Sequence, residues 1–162
     1  MAQGEFALIN LHLTAAMERP SIGWNPVGDH EILVMMADTA AIQRDQEALA
    51  ITAERANSIS RKLGHRLYHA ISLRALGTLD WLKGNYAEAG PCFFEALEIF
   101  EKLETRWQAG RTFSDLAGLF AAQGSKREAA EYYRRAIGEF EAMRAKPSVE
   151  RAKEALAGIE SS

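Results

Sequence analysis

The sequence predicts an all-α solenoid of about eight antiparallel-packed helices, and three observations lead there. The first is a self-similarity with a period of 40 residues. Leu76-Gly77, Ala89, Phe93 and Ala96 meet Leu116-Ala117, Ala129, Tyr133 and Ala136 one period later, and Met36-Ala37, Leu49, Ala53 and Ala56 one period earlier. A fixed period in this range marks stacked units that bury their apolar faces only against their neighbours. The second is apolar spacing of i, i+3, i+4, i+7 type, as in Ala89, Phe93, Ala96, Leu97, Phe100 and Leu103. The third is a composition rich in Ala, Leu and Glu with only 4 Pro in 162 residues, which favours uninterrupted helices.

The elements follow in chain order. Residues 5–19 read as a helix stopped by Pro20. Displaced by 80, Phe6, Ile9, Leu13, Ala16 and Met17 fall on Tyr86, Ala89, Phe93, Ala96 and Leu97, so this is the second (B) helix of a unit whose first (A) helix is absent. Asn25-Pro26 suits an N-cap followed by Pro at the first helical position. Three A–B units are expected at 26–63, 66–103 and 106–144, with A helices near 26–42, 66–82 and 106–122 and B helices near 46–63, 86–103 and 126–144. Asp45 is the expected cap of the first B helix, and Asn85 with Glu88, Thr105 with Gln108 and Ser125 with Glu128 are expected capping boxes. A last A-type helix at 147–160 caps the array. The small residues Ala37, Gly77, Ala117 and Ala157 are expected to admit the facing aromatic. The whole chain is expected to be a single domain.

These residues resemble the tetratricopeptide repeat family. Its Leu-Gly pair, turn Gly, Tyr, Ala, aromatic and Ala stand in order at Leu76-Gly77, Gly84, Tyr86, Ala89, Phe93 and Ala96. The family's repeat is 34 residues long. The longer unit here is similar to arrays attached to bacterial signalling ATPases, cyclases and transcription activators. The resemblance implies a right-handed superhelix whose A helices line a concave groove for a protein or peptide partner. The groove positions it implies are Glu31, Val34, Asp38 and Ala41 in the first repeat, Ile71, Arg74, Thr78 and Trp81 in the second, and Arg111, Ser114, Gly118 and Ala121 in the third. Trp81 is open to two readings: a groove anchor, since Trp and Arg are enriched at binding hot spots, or a ring tucked against the adjacent repeat. The family's clamp for a C-terminal carboxylate is not matched, because Val34, Asp38, Ala75 and Asp115 occupy its places and only Arg111 fits. The expected function is a non-enzymatic interaction scaffold. The alternative is a regulatory or sensory portion of a larger bacterial signalling or transcription-regulating protein.

Little in the sequence suggests catalysis. His30-Glu31 lacks the second His of a zinc-protease motif, since Val34 holds that place. Gly124-Ser125-Lys126 has a phosphate loop's residues in the wrong order. His65 and His69 stand one turn apart but lack a third ligand. No cofactor or metal is expected. A single cysteine, Cys92, excludes an intramolecular disulfide and reads as a small hydrophobe. A formal charge of −3 without a basic stripe argues against nucleic acid. No apolar run approaches membrane-spanning length. Phe6 to Ala16 follows acidic Glu5 rather than a basic segment, so no signal peptide is read and a cytoplasmic address is expected.

The ends carry an expectation of assembly. The first helix is apolar nearly all round, through Phe6, Leu8, Ile9, Leu11, Leu13 and Met17. Self-association through Phe6, Leu8 and Leu11, as a two-fold dimer, is the expected outcome. Head-to-tail docking ranks second, and a monomer with the 20–28 loop folded back is the remaining option.

Overall fold

The computed structural model describes residues 26–161, which form seven α-helices and no strand. The expected helix at 5–19, with Phe6, Leu8 and Leu11, lies outside the described residues, as does the Asn25 cap. The helices are α1 (Pro26–Gln43), α2 (Gln46–Lys62), α3 (Arg66–Leu82), α4 (Tyr86–Lys102), α5 (Arg106–Ala122), α6 (Lys126–Ala142) and α7 (Lys146–Ser161). Each packs on its successor, and α1–α3 and α3–α5 also touch, so the odd-numbered helices form one layer of a helical repeat.

Every turn is the same device. A residue with positive φ closes each described helix but the last, at Arg44, Gly64, Gly84, Glu104, Gly124 and Arg144. The amide after it reaches the carbonyl five residues back, as in Asn85 to Asp80 (2.9 Å) and Thr105 to Phe100 (3.0 Å). This satisfies carbonyls that a helix end leaves open. The turns recur every 20 residues, so each 40-residue unit is two near-identical half-units. The caps are less uniform than expected. Asp45 Oδ1 accepts from the Ala48 amide at 3.0 Å, and His65 Nδ1 accepts from the Tyr68 amide at 3.3 Å. Asn85, Thr105 and Ser125 make no side-chain cap bond, which corrects the three capping boxes. At Thr105 the reason is visible: its hydroxyl donates backward to the Phe100 carbonyl at 3.1 Å.

The core is made of the repeat's own residues. Ala37, Ala89, Phe93, Ala96, Phe100, Leu116, Ala117 and Ala136 are fully buried. A Cβ on Gly77 would stand 2.9 Å from Phe93 Cε1, and one on Gly110 would stand 2.8 Å from Phe140 Cε1. Both glycines are therefore needed for close helix approach. Among the described residues no helix is long and apolar enough to cross a membrane.

Candidate functional site

The layer of odd-numbered helices carries the charged residues that matter. Asp38 on α1 accepts from two arginines on two different repeats. Arg74 Nη2 on α3 binds its Oδ1, and Arg111 on α5 makes bonds of 3.0 and 3.2 Å to its two oxygens. Asp38 and Arg111 are 73 residues apart in sequence, so this bridge runs from the first repeat to the third over the second. A parallel bridge joins Arg44, in the turn after α1, to Asp115 on α5 at 3.4 Å. The Arg44 guanidinium also lies 4.0 Å from the centre of the Trp81 ring, a cation–π geometry.

Arg74 is the most buried of these charges, with a side chain 1% exposed. Burial and neighbouring Arg111 lower its pKa, while Asp38 and Asp115 support its charge. Burial pushes the Asp38 carboxyl up, but Arg74 and Arg111 more than offset it and hold Asp38 below the usual carboxylate range. At Asp115 burial wins and raises the pKa, against the pull of Arg74, Arg44 and Arg111.

Several groove expectations change in the structure. Ile71, Arg74 and Thr78 are buried, so none of the three presents a free side chain to a partner. Ile71 belongs to the apolar core, Thr78 Oγ1 donates to the Arg74 carbonyl at 3.0 Å, and Arg74 is tied to Asp38. All three lie on α3, which packs against both α1 and α5. Trp81 is half-buried, packs edge-to-face on Phe93, and rests on Gly118 so closely that a Cβ there would clash with the ring. Arg111 and Ser114 remain half-buried and line a cleft.

That cleft, of about 460 Å³, lies between α1, α5 and α7. Arg44, Arg74, Arg111 and Arg151 give it a cationic side, and Ile42, Trp107 and Phe140 an apolar one. Ile42 and Trp107 are 52% and 44% exposed, high for large apolar side chains. Arg44, Asp115, Trp107 and Arg151 were not singled out as site residues by sequence. Two signals for them existed: Arg44 replaces the glycine seen one and two periods later at Gly84 and Gly124, and Arg151 stands one period after Arg111.

His65 and His69 do not share a partner, although the His65 ring lies 6.1 Å from that of His30. His65 stacks on Tyr68 with ring centres 3.9 Å apart, while His69 Nδ1 contacts Asn57 Oδ1 at 2.8 Å and faces Glu95. No group of three or more potential metal ligands occurs among the described residues. Burial, then Asp80, Glu95 and Glu54, raise the Cys92 thiol, which keeps it protonated. His30 is buried against Ser60 Oγ at 2.7 Å, and burial followed by His65 lowers its pKa from 6.5. Burial likewise lowers His69, partly opposed by Glu95. For both, the unfolded chain binds the proton first as pH falls. Stability is therefore full above about pH 6.5 and declines below it. Urea midpoints at pH 7.5 and pH 5.5 should show this loss, and His30→Gln should flatten the slope.

Residues 68–138 match the tetratricopeptide repeat family. No curated protein matches the chain. Among solved structures it is similar to aspartyl phosphate phosphatase F from Bacillus subtilis, with a TM-score of 0.75 at 19% identity over 85% of this chain. It is also similar to BtubC (BKLC) from P. vanneervenii, with a TM-score of 0.62 at 17% identity over 99% of this chain and 75% of that one. At these identities the likeness is one of fold. The chain spans 36% of the phosphatase's length.

Proposed function

From the premise that residues 68–138 belong to tetratricopeptide repeats, we propose that the chain is a non-enzymatic scaffold that seats a peptide or helix of a protein partner on its concave face. The observation that carries this is the cleft between α1, α5 and α7, where exposed Ile42 and Trp107 stand beside a row of arginines. Aromatic and Arg side chains around a concavity are what partner anchors need. The binding surface moves from the middle of α3, where Ile71, Arg74 and Thr78 are buried, toward α5 and α7. Arg111 and Ser114 stay within it, whereas Trp81 and Gly118 pack on one another outside its lining.

Partner capture by cross-linking and mass spectrometry tests the proposal. An Ile42→Ser, Trp107→Ala variant should lose the captured partner while its melting temperature stays within about 3 °C, since both side chains are exposed. A partner retained at full strength by that variant refutes the concave assignment. The pair Arg74→Ala, Trp81→Ala is the contrasting case. It should melt far lower, because it removes a buried ion pair and an inter-repeat contact.

A second reading is a regulatory portion of a larger signalling protein. It is favoured by the fit to about a third of a longer solved chain. Self-association through Phe6, Leu8 and Leu11 belongs to the same proposal. Light scattering over a hundredfold concentration range should give a dimer mass, and a constant monomer mass refutes it.

A further inference from the structure

The charges lining the cleft do not balance. Arg44, Arg74, Arg111 and Arg151 are answered by the carboxylates of Asp38 and Asp115, which leaves a surplus of two positive charges. The unused donors are specific. Arg74 Nη1 is buried without a hydrogen-bond partner, in a side chain that is itself 1% exposed. Arg151 bonds to the Pro147 carbonyl and the Ser148 hydroxyl, each at 3.3 Å, and both acceptors are uncharged. Arg44 reaches Asp115 only at 3.4 Å. A buried cationic N–H without an acceptor is costly, so an anion entering here gains more than it would at an open surface.

The chemistry of the anion follows from the surplus. A carboxylate would neutralise half of it, whereas a phosphate monoester carries about −1.5 to −2 at neutral pH. Guanidinium groups match phosphate oxygens in pairs. The Ser148 and Tyr133 hydroxyls line the same cleft and can supply neutral donors, whereas the Ser114 hydroxyl already donates to the Gly110 carbonyl at 3.2 Å. We infer that the cleft between α1, α5 and α7 is a binding site for a phosphate dianion, held by Arg44, Arg74 and Arg151. It rests on the partner-surface reading only for where the phosphate comes from: a phosphorylated side chain of the partner or a free phosphate.

Titration calorimetry of the full chain at fixed ionic strength tests the site. Its probes are inorganic phosphate, a phosphoserine pentapeptide with flanking leucines, and the same peptide with glutamate in place of phosphoserine. Both phosphate probes should bind, and the tighter of the two identifies the source. The glutamate peptide should bind at least roughly tenfold more weakly, and Arg151→Gln or Arg44→Gln should each weaken phosphate about tenfold. Both variants alter exposed side chains and should melt within about 3 °C of the parent. Failure of both phosphate probes to bind, binding unchanged in both variants, or equal affinity for glutamate overturns the dianion site. If arginine-dependent phosphate binding is found while the Ile42→Ser, Trp107→Ala variant keeps its protein partner, the dianion site stands and the concave partner surface falls.

Discussion

Replacing Asp38 with alanine should lower folding stability by about 3–5 kcal/mol, the usual result of stranding a buried charge. Arg74 is 1% exposed and Asp38 is its paired carboxylate, so the variant leaves a buried guanidinium without its ion-pair partner and with only the more distant Asp115 to support its charge. Arg111 loses its carboxylate partner at the same time. Because the penalty comes from the stranded charge, removing that charge should restore stability. The double variant Asp38→Ala, Arg74→Met should therefore recover much of the loss, as buried pairs replaced by well-packed apolar groups often do. Equilibrium urea unfolding of the two variants and the parent checks this. A double variant less stable than Asp38→Ala would show that Arg74 contributes mainly through packing.

Phe93→Ala should lower stability by about 3–5 kcal/mol, because the ring is fully buried between α3 and α4 and its removal leaves a cavity. The same contact predicts a coupling. Gly77→Ala alone should cost about 1–3 kcal/mol, since the added Cβ would stand 2.9 Å from the Phe93 ring. In a Phe93→Leu background the added methyl meets less of the ring, and the cost should fall. Additive costs in that pair would mean the two residues do not constrain one another.

The architecture was legible because it is periodic. The 40-residue spacing that aligns Leu76-Gly77 with Leu116-Ala117, together with the helical phase of Ala89, Phe93 and Ala96, placed the described helices to within a residue or two. Gly77 against Phe93 was readable for the same reason, as a small residue facing an aromatic in each unit. The site was not, because it is built from departures from the repeat. Asp38 aligns with Thr78 and Gly118, Arg74 with Val34 and Ser114, and Arg44 with Gly84 and Gly124. The bridges that these departures make join residues 36 (Arg74 to Asp38), 71 (Arg44 to Asp115) and 73 (Arg111 to Asp38) positions apart, and local periodicity carries no information about such pairs. The groove rule borrowed from shorter repeats treated each repeat's A helix as equally open. It therefore placed Arg74 and Thr78 in the groove, when both are buried on an α3 that packs against α1 and α5.

A double-mutant cycle between Asp38 and Arg111 is the most direct test that the first and third repeats meet across the layer of odd-numbered helices. Asp38→Asn, Arg111→Gln and the double variant, unfolded in urea, give the coupling free energy. Contact at 3.0 Å predicts a favourable coupling of roughly 0.5–3 kcal/mol. Effects that add to within about 0.3–0.5 kcal/mol would place the two residues apart and contradict the cationic cleft.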